Sequence, residues 1–143
     1  MFTQTLTAGG LAVLTVTVHA VGFAALIRAL LRWRALTMWG FWPVTGMVIG
    51  LTCCLMLIHL AEISVWGLFY FWQGCLPDAE SAFYFSGGAY TSVGCGDLVL
   101  PRPWRMIAPL ETLTGLLMCG LSTGLFFAVV SRWISSWMQR KTG

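Results

Sequence analysis

The sequence predicts an all-α membrane protein, and three observations carry that prediction. Of its 143 residues, 58% are hydrophobic and only 9% are charged, where soluble domains carry about a quarter charged residues. Three long apolar runs are separated by short polar stretches. A turn-rich segment with paired glycines precedes the last run. Such a chain has too little polar surface to cover itself, so lipid is its expected solvent. The net charge of +3 is too small to indicate a nucleic-acid partner, and no Gly-rich phosphate loop appears.

The first run, Leu6 to Leu31, has no charge before Arg28. It exceeds the ~20 residues needed to cross the hydrocarbon core. It is too long for a signal-peptide core and lacks a basic start. Residues 1–40 therefore read as one extra N-terminal transmembrane helix and a loop. Gly9, Gly10, Ala20, Gly22, Ala24 and Ala25 would let this helix lie close to the second span or to a neighbouring subunit. It has no repeated arginine stripe, so it is not read as a voltage sensor.

The second span is Phe41 to Trp72 (41–72) and the third Pro103 to Gln139 (103–139). As a helix the third would run ~55 Å, so it must tilt or protrude. Pro109 is expected to kink it. Arg28, Arg32, Arg34, Arg132, Arg140 and Lys141 gather after the first span and at the end of the third. The positive-inside rule then puts the 32–40 loop and C-terminus in the cytoplasm and the N-terminus outside, in a cell (inner) membrane. Arg132, Arg140 and Lys141 read as interface anchors. Trp33, Trp39, Trp42, Trp133 and Trp137 would form the inner aromatic belt, and Trp66, Trp72 and Trp104 the outer one.

Between the second and third spans, Pro77-Asp78 reads as a helix start with Asp78 as N-cap. A short re-entrant helix over 79–90 follows, with Phe83, Tyr84 and Phe85 and then the small residues Gly87, Gly88 and Ala89. The glycines would admit close neighbours, and the negative end of the helix dipole would favour a cation. After it comes Thr91-Ser92-Val93-Gly94-Cys95-Gly96-Asp97. Irregular backbone at membrane depth is tolerated where it lines an ion path. Gly94 and Gly96 can take left-handed angles at little cost, turning successive carbonyls to one side.

That string resembles the selectivity filter of pore-loop potassium channels, usually Thr-Val-Gly-Tyr-Gly-Asp. Residues 79–130 resemble the pore helix, filter and inner helix of the prokaryotic potassium-channel pore domain. The second span resembles the outer helix more loosely. His59-Leu60-Ala61-Glu62-Ile63, Tyr84-Phe85-Ser86 and Trp104-Arg105 resemble segments of small bacterial three-span channel proteins. The resemblance implies a pore domain over 41–143 with the filter at 91–97. It implies a homotetramer whose main-chain oxygens replace the hydration shell of potassium. Ser92, Val93, Gly94 and Cys95 would hold the ions. Gly96 would shape the outer mouth, and Thr91 and Asp97 would support the filter. Tyr84 and Phe85 would pack behind it, and Gly115 matches the inner-helix hinge, with close helix packing as the alternative reading. Two departures stand out: Cys95 replaces the filter tyrosine, and Gly88 replaces a pore-helix carboxylate. The implied activity is passive cation conduction, most readily of potassium. A filter softened by Cys95 and unselective, or a non-conducting membrane subunit, are the alternatives. No enzyme, cofactor or nucleic-acid partner is implied; the partners are other copies, membrane lipid and monovalent cations.

Glu62 and Glu111 would both lie near the depth of the short helix. Buried carboxylates are costly and need a partner or a function. Either one braces the filter from behind, through Asp97, Arg105 or the short helix's backbone, or both are satisfied structural carboxylates with no gating role. His19 and His59 read first as membrane histidines that hydrogen-bond a neighbouring helix, with a haem-binding electron carrier as the reading from another class. His59 could instead act with Glu62, three residues on, as a pH sensor. No metal-type cysteine spacing occurs. Cys53, Cys54 and Cys119 read as small hydrophobes. Cys75, near the outer mouth, is a free thiol or a bridge to another subunit.

Overall fold

The structure, a computed structural model, describes residues 2–32, 40–94 and 96–142. Expectations for Trp33, Trp39, Arg34 and Cys95 fall outside the described residues, as do those for the side chains of Arg140 and Lys141. Among the described residues there are four α-helices: α1 (Phe2–Arg32), α2 (Phe41–Trp72), α3 (Ala79–Tyr90) and α4 (Ile107–Thr142). Among the described residues there is no strand. Three helices are long and apolar enough to cross a membrane, and α3 is the short one.

The third span starts differently from expectation. Residues Arg102–Trp104 form a single 3-10 turn, and α4 begins at Ile107. Pro101 and Pro103 restrict the residues before them and delay the helix. Pro109 therefore sits in the first turn of α4, where its missing N–H has no intrahelical partner to lose. The expected kink at Pro109 loses its cause.

α1 packs on α2 and α4, while α3 is wedged between α2 and α4. One apolar core, around Ala8, Trp66, Tyr70, Phe85, Leu100 and Ile107, collects the start of α1, the end of α2 and the start of α4. A second core, Leu26, Leu51, Leu55 and Val129, joins the opposite ends. Between them along every long helix lie buried polar residues: Thr15 and His19 on α1, Glu62 on α2, and Ser122 on α4.

Several aromatic placements differ from the belt reading. Trp72 and Trp42 are strongly exposed, but Trp66 is fully buried and donates its Nε1–H to Thr15 Oγ1 at 2.9 Å. Its polar edge has found a partner on α1 and has no need of the lipid interface. Trp104 is half-buried against Phe69, ring centroids 5.5 Å apart. Cys53, Cys54 and Cys119 are exposed on this chain, whereas Cys75 is buried in the first core.

Candidate functional site

The site grows from α3. Asp78, extended at φ −150°, accepts the Ser81 N–H at 2.7 Å and closes the first turn. That hydrogen bond from the Ser81 backbone lowers the Asp78 carboxyl below its ordinary range. At Gly67, an added Cβ would lie 2.9 Å from the Phe83 ring, so α2 and α3 touch where no side chain intervenes. Farther along, Thr112 Oγ1 donates to the Ala89 carbonyl at 2.8 Å. Gly115 faces the Tyr90 carbonyl, and a Cβ there would collide with it. At Gly115, then, the structure displays close helix packing. Around Gly87 an added Cβ would meet open space within this chain.

The loop leaves α3 through a compact turn. Thr91 folds its hydroxyl back on the Gly87 carbonyl at 2.6 Å, and its N–H bonds the same oxygen at 3.1 Å. Ser92 N–H reaches the Ala89 carbonyl at 3.1 Å, and Gly94 N–H the Gly88 carbonyl at 3.0 Å. Ser92 has φ 60° and Gly94 φ 79°. For serine that left-handed angle costs of order 1–3 kcal/mol and persists only where the surroundings impose it. Ser92, Gly94, Gly96 and Asp97 are exposed, and Val93 is 82% exposed. The loop thus presents its surface away from the three long helices of its own chain.

Both carboxylates are fully buried, and neither uses Asp97 or Arg105. Arg105 Nε donates to the Leu100 carbonyl at 3.1 Å. Glu111 takes the Tyr70 hydroxyl at 2.7 Å and lies 2.6 Å from Ser86 Oγ on α3. Glu62 lies 2.6 Å from His19 Nδ1 and accepts the hydroxyl hydrogen of Tyr90, the last residue of α3. His59 bridges Tyr90 Oη and Ser122 Oγ, each at 2.9 Å, and its Nδ1 is 3.4 Å from Glu62. So the side chains at the back and end of α3, rather than its backbone, meet the carboxylates. Phe85 packs edge-on against Tyr70 at 5.4 Å, while Tyr84 is 56% exposed on this chain.

Sequence reasoning missed Tyr70, Ser86, Tyr90 and Ser122. Part of the signal was there: His59, Glu62, Trp66 and Tyr70 follow helical spacing along α2, and Thr15 and His19 lie one turn apart on α1.

The polar cluster also decides what it can hold. His19, His59 and Glu62 offer ligand atoms within 4.8 Å of one another. Two donors on one zinc ion, each at ~2.0–2.1 Å in tetrahedral geometry, stand clearly farther apart than the 2.6 Å between His19 and Glu62. That spacing belongs to a shared proton. Haem fits no better. Both ring nitrogens of His59 are engaged, and Phe23 covers His19 at 4.3 Å between centroids.

Together these elements define a multi-pass membrane protein: three apolar helices around a short one, from whose end an exposed, strained loop departs. A family model described as "Ion channel" matches residues 58–132, just over half of the chain. The matched stretch runs from His59 and Glu62 through α3 and the loop to Arg132, and the chain belongs to this ion-channel family. Comparison with curated proteins and with solved structures gives no match.

Proposed function

We propose that the chain is one quarter of a homotetrameric cation channel that conducts potassium passively. The observation that carries this reading is the position of residues 91–97. They leave the C-terminal end of α3 inside the matched segment, with left-handed backbone at Ser92 and Gly94. Four such loops around an axis would stack main-chain oxygens of Ser92, Val93, Gly94 and Cys95 in place of water. The carbonyl end of α3 adds the negative end of its dipole. A re-entrant α3 agrees with its twelve residues, far short of the ~20 that a span needs.

A fourfold partner also accounts for the surface beside the loop. Phe85, Ala89, Gly94, Pro109, Leu113 and Leu116 line an open apolar groove there. A neighbouring loop and inner helix would cover it. The charge pattern puts the N-terminus outside and the C-terminus in the cytoplasm. Conduction, not catalysis, is the activity that family membership supports.

Native mass spectrometry and potassium flux into liposomes test this reading. Four chains per particle and a flux that sodium competes with poorly are expected. A monomer or dimer without flux removes it.

A further inference from the structure

Helix α1 lies outside the segment matched to the ion-channel family, yet it supplies a buried side chain to the α2 carboxylate that holds the end of α3. His19 is 2% exposed, and its Nδ1 stands 2.6 Å from one oxygen of Glu62. The other Glu62 oxygen holds the Tyr90 hydroxyl. Tyr90 is the last residue of α3, and the strained Ser92 follows two residues later.

Counting protons orders this chain of contacts. Tyr90 has one hydroxyl hydrogen and gives it to Glu62, so the 2.9 Å contact with His59 Nδ1 must be donated by His59. His59 Nε2 then accepts from Ser122 Oγ, also 2.9 Å away. His19 Nδ1–H donates to Glu62, and His19 Nε2 is buried without a hydrogen-bond partner. With N–H at Nδ1 of both histidines and an ionised Glu62, every contact has one donor and one acceptor.

We propose that His19 is a positioning residue for the filter. It fixes the Glu62 carboxylate, which holds Tyr90 and so sets where the loop departs from α3. This rests on the channel reading above. The α1–α2 seam contains its own control. One turn before His19, Thr15 accepts from Trp66, a hydrogen bond that joins α1 to α2 and has no partner on α3, although Trp66 packs in the core beside Phe85. A purely structural α1 would feel both contacts alike.

The test uses the full chain, purified and recorded as single channels, with thermal stability measured in parallel. His19→Asn places an amide N–H near the position of Nδ1. His19→Gln carries its amide one carbon farther out, and His19→Leu has no donor. Losing a hydrogen bond to a charged group predicts about a tenfold fall in the ratio of conducting to non-conducting time for Leu and Gln. Asn restores most of it. Thr15→Val lowers thermal stability but keeps the conducting ratio. Asn and Gln behaving alike, a Thr15→Val deficit as large as that of Leu, or no deficit in Leu overturns the proposal. The Asn and Gln pair keeps the test decisive where Leu fails to assemble. A wild-type protein without current would instead remove the channel reading, and this inference with it.

Discussion

Ser86 on α3 sets its hydroxyl 2.6 Å from Glu111 Oε1 on α4 and 2.9 Å from the Ile63 carbonyl on α2. One hydroxyl hydrogen shared between two acceptors bonds each more weakly. We assign a protonated Glu111, which relieves the sharing: Glu111 would donate to Ser86, Ser86 to Ile63, and Tyr70 to the other Glu111 oxygen. Glu62, by contrast, faces donors on both oxygens. The two buried acids thus have opposite hydrogen-bond roles. Glu111→Gln, a neutral donor and acceptor, is predicted to keep wild-type thermal stability in detergent. Glu62→Gln turns an N–H toward His19 or Tyr90 and should cost about 1–3 kcal/mol. Equal losses for both variants in thermal melts would refute the assignment.

Gly115 lies against the Tyr90 carbonyl. Gly115→Ala forces α4 away from the end of α3, an overpacking cost of about 1–3 kcal/mol. The prediction is a lower melting temperature together with altered conduction. If Gly115 served only as a hinge, the melting temperature would hold and only opening would change.

The Asp78 cap predicts a pH dependence. Its carboxyl is lowered by the Ser81 backbone hydrogen bond. A depressed native pKa stabilises the fold above the ordinary carboxylate range, and that contribution is lost as pH falls through the native value. Asp78→Ala should therefore melt below wild type at neutral pH, and the gap should shrink as pH falls below the ordinary carboxylate range. Asp78→Asn keeps an acceptor and should show less pH dependence. A gap that is constant across this range would contradict the cap.

Cys75 is 7% exposed in the core formed with Trp66 and Tyr70, and burial pushes its thiol pKa up. Its sulfur is poorly placed to reach another subunit. Slow alkylation of Cys75 in the folded protein and no reducible Cys75 dimer on a gel are expected. A Cys75-linked dimer would show that the loop after α2 opens.

Much of this architecture was legible because hydropathy is a local property. A charge-free run such as that before Arg28 announces a span, and Pro77-Asp78 announces the start of α3. The short loop after α3 could be read as a unit because its glycines and its place before an apolar run are local too. Contacts between elements left no such trace. Nothing near Trp66 says that Thr15, 51 positions earlier, will take its N–H, so an average aromatic belt misplaced it. Gly67 looks like any helix glycine until Phe83 lies on it. The Pro109 kink was misread because a shift of four residues in the helix start changes a proline from disruptive to harmless. Glu62 and Glu111 were recognisable as costly, but each takes partners from two other helices, α1 and α3 for Glu62 and α2 and α3 for Glu111.

The most direct test is the reversal potential of purified wild-type protein in a planar bilayer, with potassium on one side and sodium on the other. The account predicts a cation current whose reversal potential is displaced far from zero, with the potassium side negative. A current reversing near zero would remove potassium preference, and no current at all would contradict conduction through residues 91–97.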